Sequence, residues 1–340
     1  MIGPSPYVLI NMGSRYVPCM HSMKGIQDRT SGGAISWPCP GSTNTTDFCE
    51  LHQLCGFNMP ASEDPVYPAT VTSSNIADYP APDQWFRFII PIFLHAGIIH
   101  IGFNMLLQMT LGREIEQQIG PFRFFLVYFS SGIFGFVLGG NFAATGISST
   151  GASGALFGIL ALTLLDLLYT WNDRTNPWKD FAFIMLDVVI SFILGLLPGL
   201  DNFSHIGGFF MGLALGICIL HSPNALRKRL DQHEPPYTPV SPYKAGMSDN
   251  ANSGTVGFIK NPVSFFKGRK PAWWAWWLVR AGSLVFVFIV FILLLNNFYV
   301  YRKSCGWCKY LSCLVCPSIP LATTFGIVLT GNRMSTTGAM

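Results

Sequence analysis

Charged residues are scarce in this sequence. They make up 11% of its 340 residues, against roughly 25% in an average soluble domain. The formal net charge is only +4, and no stripe of Lys and Arg alternates with aromatic residues, so we do not expect nucleic acid as a partner. Hydrophobic residues make up 50% of the chain. This composition is typical of a protein that lies in a lipid bilayer.

A secretory signal is also lacking near the start. The charge distribution predicts that residues 1–85 lie outside the cytosol. Met1 to Pro18 nevertheless contain neither a signal peptide nor an apolar span. A segment of this length needs one or the other to be carried across a membrane. We therefore expect a further membrane span upstream of this sequence.

Six apolar runs are long enough to cross a bilayer, since a spanning helix needs about 20 mostly apolar residues. The first five are joined by short connections and predict one helix bundle over residues 86–221. A polar, proline-rich linker over 222–277 precedes the sixth, which predicts an additional C-terminal transmembrane helix over 278–301, followed by a tail over 302–340. The predicted fold is an all-α membrane protein. The six runs are residues 86–109, 122–143, 152–171, 181–199, 203–221 and 279–301.

The distribution of Lys and Arg predicts the orientation of the bundle. These residues concentrate in the linker and near Arg113 and Arg174, which indicates that those segments face the cytosol. The long loop over 1–85 then lies on the lumenal or extracellular side, as does the glycosylation sequon that begins at Asn44. We predict an integral multi-pass protein of the secretory pathway, at the Golgi or the plasma membrane.

The nine cysteines form two clusters, with Cys218 alone in an apolar run. In an oxidising compartment the first cluster predicts two disulfides, and the sequence leaves all three pairings open. The second has the spacing C-x2-C-x4-C-x2-C, which fits disulfides or a zinc site; its short central spacer favours disulfides. The clusters are Cys19, Cys39, Cys49 and Cys55, and Cys305, Cys308, Cys313 and Cys316.

The first predicted span contains His95, His100 and Asn104. Strongly polar side chains in hydrocarbon mark functional sites unless structural partners satisfy them. His100 and Asn104 are four residues apart and share one helix face, where they form a structural network or supply hydrogen-bond donors to a site. His95 is poorly spaced from His100 for a shared metal, and no carboxylate accompanies them, so no metal site is predicted.

The third predicted span opens with Gly151-Ala152-Ser153-Gly154. A serine at a helix start is usually an N-cap or an interhelical hydrogen bond. The glycines around Ser153, however, let a substrate backbone approach closely, and the N–H groups at a helix N-terminus suit an oxyanion. Ser153 is therefore a candidate nucleophile.

The fifth predicted span carries His205 on one helical stripe with Gly208 and Gly212. Glycines four residues apart permit close helix contact, and Gly154 offers a matching surface beside Ser153. Packing of these surfaces would bring the imidazole to the hydroxyl, whose proton it can remove. The alternative is a buried histidine that a backbone carbonyl satisfies.

Five short patterns follow one another along residues 85–216. They are Trp85 with Arg87, H-x4-H-x3-N from His95, G-x3-E-x3-G around Glu116, G-x-S-G from Gly151, and H-x2-G-x3-G from His205. Each is weak alone, but together, in this order and spacing, they resemble the rhomboid family of intramembrane serine proteases. The additional helix is similar to the six-plus-one arrangement of eukaryotic secretory-pathway rhomboids.

The resemblance implies a role for each of these positions. Ser153 would be the nucleophile and His205 the general base, in a dyad without an orienting aspartate. His100 and Asn104 would line the oxyanion hole with the backbone N–H of Ser153. Phe157 stands where many members have a tyrosine stacked on the histidine, so we expect stacking without a phenolic hydrogen bond.

The remaining positions would be structural. Arg87 would anchor the loop over 1–85, and Glu116 would be a hydrogen-bond acceptor at the cytosolic end of the bundle. The structural set is Arg87, His95, Glu116, Gly151, Gly154, Gly208 and Gly212.

The predicted function is cleavage of transmembrane protein substrates within the lipid bilayer, near its lumenal face, without a cofactor or a metal. The scissile peptide must leave its helix to be attacked, so we expect helix-breaking or small residues at the cut. The main alternative is a non-catalytic rhomboid-like protein that binds client transmembrane helices. A transporter is less consistent with polar residues that cluster near one face. The sequence does not indicate an oligomeric state.

Overall fold

A computed structural model describes residues 2–23, 37–42, 47–59, 82–144, 146–195, 201–229, 270–303, 305–308 and 311. Several sequence predictions lie outside these residues. They are the sequon at Asn44, most of the linker over 222–277, the pairing of Cys313 and Cys316, and the tail beyond residue 311.

The described chain is mainly helical, which confirms the predicted all-α membrane class. Two π-helical turns are also present. Gln108–Gly112 joins the helices Ile98–Leu107 and Arg113–Ile119, and Asn297–Tyr301 extends the helix Pro271–Asn296. Two short strands, β1 (Trp37–Pro38) and β2 (Phe48–Cys49), pair antiparallel. The helices are α1 (Pro6–Asn11), α2 (Leu51–Cys55), α3 (Ile98–Leu107), α4 (Arg113–Ile119), α5 (Pro121–Phe142), α6 (Ser153–Thr170), α7 (Pro177–Gly195), α8 (Asn202–Ile219), α9 (Asn224–Arg229) and α10 (Pro271–Asn296).

Four helical segments of the described chain are long and apolar enough to cross a membrane. They are Pro121–Phe142, Ser153–Asp173, Asn202–Arg229 and Pro271–Tyr301, and they correspond to the second, third, fifth and sixth predicted spans. The fourth predicted span overlaps α7, although its last residues lie outside the described chain. The sixth begins eight residues earlier than predicted, with a proline in its first turn, where the missing N–H costs no helical hydrogen bond.

The first predicted span, 86–109, is wrong in its first half. Trp85–Phe88 and Ile90–Phe93 form two 3-10 turns. The helix begins only at Ile98 and then continues through the π turn to Ile119. It therefore includes the charged residues around Arg113 that the sequence analysis assigns to a connection.

Backbone chemistry accounts for this difference. Pro91 has no N–H to donate and would interrupt a helix that passed through it. Gly97 has a φ of 152°, which a right-handed helix does not allow. Apolar composition alone does not distinguish a spanning helix from an apolar segment wound in short turns.

Helices α5, α6 and α8 form the centre of the bundle, and α10 packs on α5 and α8. Glycines let α6 and α8 touch backbone to backbone. A Cβ on Gly208 would collide with the carbonyl oxygen of Gly154, and a Cβ on Gly212 with that of Gly158. The close contact expected from the glycine spacing is therefore present.

The segment before the bundle forms a small disulfide-linked unit around the buried side chain of Tyr16. Cys19 is bonded to Cys55, and Cys39 to Cys49. The two disulfides predicted for the first cysteine cluster are thus confirmed. The structure selects one of the three pairings that the sequence leaves open.

The segment after α10 returns to the start of α8. Cys305 and Cys308 form a disulfide, which confirms the preference for disulfides over zinc in this half of the second cluster. Cys308 is buried against Phe203. Asn202 Nδ2 donates a hydrogen bond to the carbonyl oxygen of Leu311 at 3.1 Å.

We expect Gly208→Ala to destabilise the bundle by about 1 to 3 kcal/mol, the usual range for overpacking. The new Cβ would strike a backbone carbonyl, which cannot rotate away. Thermal unfolding in detergent, followed by tryptophan fluorescence, measures the effect. The control is Gly282→Ala in α10, where the added Cβ meets nothing within 4 Å. An unchanged unfolding temperature for Gly208→Ala would contradict the backbone contact.

Candidate active site

Ser153 and His205 meet at one end of the bundle. Ser153 is the first residue of α6, and His205 lies in the first turn of α8. The Nε2 atom of His205 lies 2.9 Å from Ser153 Oγ, a hydrogen-bond distance. The pairing that the glycine surfaces predict is therefore present.

Phe157, one turn after Ser153, supports the imidazole. Its ring centroid lies 4.5 Å from that of His205, and the two planes differ by 10°. The expected stacking is thus confirmed. Within the described chain, the buried Nδ1 of His205 has no hydrogen-bond partner, so none of the described carboxylates holds the ring directly.

Gly151 allows His100 to lie beside the serine. It has a φ of 122°, a conformation that favours glycine, and a Cβ there would lie 2.7 Å from His100 Nε2 and 3.7 Å from Ser153 Oγ. The backbone N–H of Ala96 donates to His100 Nδ1 at 3.2 Å. Since Nδ1 is the acceptor, the proton of the neutral imidazole is on Nε2, the nitrogen that faces Gly151.

Asn104 lies one turn further along α3 and is buried. Its Nδ2 donates to the carbonyl oxygen of His100 at 2.8 Å. An amide nitrogen carries two hydrogens, so this bond leaves one donor of Asn104 for a ligand.

His95 lies in the loop before α3 and not within a helix. Its ring packs against His100 edge to face, with 5.2 Å between centroids. The Nε2 atom of His95 is buried and has no hydrogen-bond partner in the part of the chain that the structure describes. No group of three His, Cys, Asp or Glu side chains suited to a metal ion is found among the residues that the structure describes.

Comparison with known proteins agrees with this geometry. The family model of the rhomboid domain matches residues 82–222. The chain is 55% identical over 324 residues to rhomboid-type serine protease 2 of Emericella nidulans, a match that covers 92% of this chain and 62% of that protein. This chain contains a rhomboid domain.

Other similar rhomboid proteins differ in what their names say about catalysis. Over 232 residues the chain is 31% identical to RHOMBOID-like protein 4 of Arabidopsis thaliana, covering 68% of this chain and 52% of that protein. Over 238 residues it is 31% identical to inactive rhomboid protein 1 of Homo sapiens, covering 68% of this chain and 22% of that protein. The chain thus spans 62% or less of the length of these relatives.

Arg87 ties the disulfide-linked unit to the rhomboid domain. Its guanidinium is fully buried and donates to Gln84 Oε1 at 2.6 Å. It also donates to three backbone carbonyls, those of Ile10 and Ser14 at 2.7 Å and that of Cys55 at 2.6 Å. These contacts are those of the loop anchor that the family resemblance implies.

Glu116 does not make the hydrogen bond that was expected of it within the described part of the rhomboid domain. Its side chain is exposed, and no side-chain hydrogen bond of Glu116 is present within the described chain. Ile115 and Ile119 take the buried positions of α4, which turns Glu116 outward. The expected role of Glu116 as a hydrogen-bond acceptor at the cytosolic end of the bundle is therefore corrected for the part of the chain that the structure describes.

Asp201 is a residue at this site that the sequence analysis does not single out. It is the N-cap of α8: its Oδ1 accepts from the backbone N–H groups of Phe203 and Ser204 at 3.0 and 3.4 Å. An aspartate just before an apolar helix is a capping signal, so this role was readable from the sequence. The cap fixes the start of the helix that carries His205.

Arg15 is the partner of Asp201, and nothing in the sequence pairs the two. Arg15 Nη2 lies 2.9 Å from Asp201 Oδ2, and both side chains are buried. Burial lowers the pKa of the Arg15 guanidinium, and the charge of Asp201 acts in the opposite direction. The ion pair joins the disulfide-linked unit to α8 of the rhomboid domain.

We expect Arg87→Lys to lower the stability of the rhomboid domain by about 3 kcal/mol. A lysine ammonium lacks the planar fork that reaches several acceptors, and each buried carbonyl left without a donor costs about 1 to 3 kcal/mol. Thermal unfolding in detergent measures the loss. Arg123→Lys is the control, because Arg123 is exposed and its side chain makes no hydrogen bond within the described part of the chain. Equal unfolding temperatures for the two variants would refute the anchoring role.

Proposed function

We propose that this chain is a rhomboid-type intramembrane serine endopeptidase that uses Ser153 and His205. The observation that carries the proposal is the 2.9 Å contact between His205 Nε2 and Ser153 Oγ. A histidine placed in this way can take the hydroxyl proton and make the oxygen a competent nucleophile. The name of the similar serine protease supports the same assignment.

In the proposed first step, Ser153 Oγ attacks the carbonyl carbon of a scissile peptide while its proton moves to His205 Nε2. The imidazolium then gives this proton to the leaving amine, and an acyl-enzyme remains. Water repeats the sequence of proton transfers and releases the acid. The stacked Phe157 ring limits rotation of the imidazole during both steps, in place of an orienting carboxylate.

The negative charge of the tetrahedral intermediate needs hydrogen-bond donors. The first N–H groups of a helix have no partner within it, so the backbone N–H of Ser153 is one candidate. The Nε2–H of His100 and the second amide hydrogen of Asn104 are the others. Their positions around Gly151 and along α3 support this assignment, since donors that point at the developing charge supply much of the rate enhancement in such sites.

The proposed substrates are transmembrane segments of other membrane proteins, which reach the dyad from within the bilayer. A peptide bond in a helix has its carbonyl hydrogen-bonded and shielded by the next turn. Segments with glycine or proline near the cut unwind at lower cost. Such segments are therefore the expected substrates.

We place the dyad near the non-cytosolic face of a secretory-pathway membrane, at the Golgi or the plasma membrane. The three disulfides at this end of the helix bundle support the assignment, because disulfides persist in oxidising compartments. The basic segment Asn224–Arg229 follows the C-terminal end of α8, and Arg174 and Lys179 follow that of α6. These are the ends opposite the dyad, as the positive-inside rule requires for a cytosolic face.

The second candidate function is binding of client transmembrane helices without cleavage. The similarity to inactive rhomboid protein 1 is the observation that favours it. The Ser153–His205 hydrogen bond argues against it, because a binding protein does not require that pair to be within hydrogen-bond distance. The two functions differ in whether Ser153 is nucleophilic.

We expect a fluorophosphonate probe to label the chain in liposomes, and expect Ser153→Ala and His205→Ala to abolish the labelling. The probe reacts with serines whose proton a base can remove. The matched control is Ser131→Ala, because Ser131 is buried in the same bundle and its hydroxyl has no hydrogen-bond partner among the described residues. It should label as the unmodified chain does.

Two results would contradict this proposal. Labelling that survives in Ser153→Ala would mean that another residue reacts with the probe. A folded chain that takes no label would favour the client-binding function, which co-purification with transmembrane helices then tests.

We expect a reconstituted substrate helix to be cleaved faster when a Gly-Gly pair replaces a Leu-Leu pair near its non-cytosolic end. Each glycine in place of a good helix former lowers helix stability by about 1 kcal/mol, so a pair raises the unwound population by roughly tenfold or more. Gel analysis of cleavage rates measures the effect, and the same pair placed at the cytosolic end is the control. Equal rates for all three helices would refute the unwinding requirement.

A further inference from the structure

Arg15 contacts both segments that carry the dyad, one through its backbone and the other through its side chain. Its backbone pairs with Ser149 in a short antiparallel bridge: each N–H donates to the carbonyl oxygen of the other residue at 3.0 Å. Ser149 is four residues before Ser153. Next to this bridge, the hydroxyls of Ser14 and Ser148 are 2.7 Å apart, which adds a side-chain contact between the same two segments.

The side chain of Arg15 makes the second connection. It is completely buried, and its Nη2 lies 2.9 Å from Asp201 Oδ2. Among the described residues, Asp201 is the only hydrogen-bond acceptor that the guanidinium contacts. Asp201 is four residues before His205.

Asp201 transmits this contact to α8 through both carboxylate oxygens. Oδ1 caps the first N–H groups of the helix, and Oδ2 accepts from Ser204 Oγ at 2.7 Å. Gly139 of α5 comes so close that a Cβ on it would collide with Asp201 Oδ2. The carboxylate therefore has little room to move.

We propose that Arg15 and Asp201 are positioning residues that set the separation of Ser153 and His205. The pair fixes the start of α8 relative to the strand-like segment that leads into Ser153. This inference rests on the proposed protease function. It adds a lumenal element to the active site, since Arg15 belongs to the disulfide-linked unit and not to the helix bundle.

The surroundings of Arg15 show how this link is kept rigid. The carbonyl of the preceding residue, Ser14, accepts from Arg87, and the disulfide from Cys19 to Cys55 closes the segment four residues later. Arg87 also holds the carbonyl of Cys55. The backbone on both sides of Arg15 is thus attached to the same framework.

The energetics of a buried ion pair indicate positioning as the reason for its presence. Removing two charges from water costs about as much as their attraction returns, so apolar residues of similar size stabilise a fold equally well or better. What an ion pair adds over apolar residues is a fixed distance and direction between its two side chains. A small displacement of a catalytic group, on the order of 1 Å, can reduce a rate by about a hundredfold.

The test is the kinetics of fluorophosphonate labelling of the full chain in liposomes. Saturation curves separate the maximal rate of labelling from the probe concentration that gives half of this rate. For Arg15→Met we expect the maximal rate to fall by about tenfold to a hundredfold, with little change in the half-saturating concentration. Loss of the link displaces the base from the nucleophile but does not remove the binding surface.

A second variant separates positioning from stability. Arg15→Met leaves a buried carboxylate unpaired, which destabilises the fold. The double variant Arg15→Met with Asp201→Asn removes both charges, and asparagine still caps the helix. We expect it to unfold close to the temperature of the unmodified chain and yet to label at least about tenfold more slowly.

The control is Arg174→Met, which breaks the 2.8 Å ion pair to Asp166 at the opposite end of α6. We expect it to lower the unfolding temperature without changing the maximal labelling rate. A folded double variant that labels within about twofold of the unmodified chain would overturn the positioning role alone. Absence of labelling in the unmodified chain would overturn the proposed protease function, on which the inference rests.

Discussion

The close approach of α6 and α8 is the constraint on which this molecule depends. In a bilayer, helices gain little from the hydrophobic effect when they associate, so their contact rests on close van der Waals packing. Gly154 and Gly158 on α6 meet Gly208 and Gly212 on α8 without side chains between them. This backbone contact brings His205 within hydrogen-bond distance of Ser153.

Buried arginines attach the disulfide-linked unit at the start of the chain to this apolar bundle. Arg87 satisfies three carbonyls on two segments of the unit, and Arg15 reaches across to the cap of α8. An arginine suits both tasks because its planar fork presents five donors in fixed directions. The disulfide-linked unit is therefore part of the framework around the dyad.

The additional helix α10 is attached by apolar side chains that share a core cluster with those of α5, and by polar contacts. Asn297 Nδ2 donates to Asn141 Oδ1 at 2.8 Å, and Asn141 Nδ2 donates to the carbonyl oxygen of Leu294 at 3.1 Å. Few of its apolar side chains are buried, among them Val287 and Leu294, so most of them face the lipid. Interhelical amide contacts of this kind are favourable because hydrocarbon offers no other partners.

The sequence by itself determined the membrane class, most of the helices and the two residues proposed as the catalytic dyad. These features follow from local composition and from helical spacing, which places glycines and polar groups on one stripe. The start of α3 and the side-chain direction of Glu116 were not readable in this way, because apolar composition does not reveal short turns and a helix can be rotated about its axis. Only the tertiary structure decided the cysteine pairing and the contact of Arg15 with Asp201. Those partners are up to 186 residues apart, and the path of the backbone between them leaves no periodic signal in the sequence.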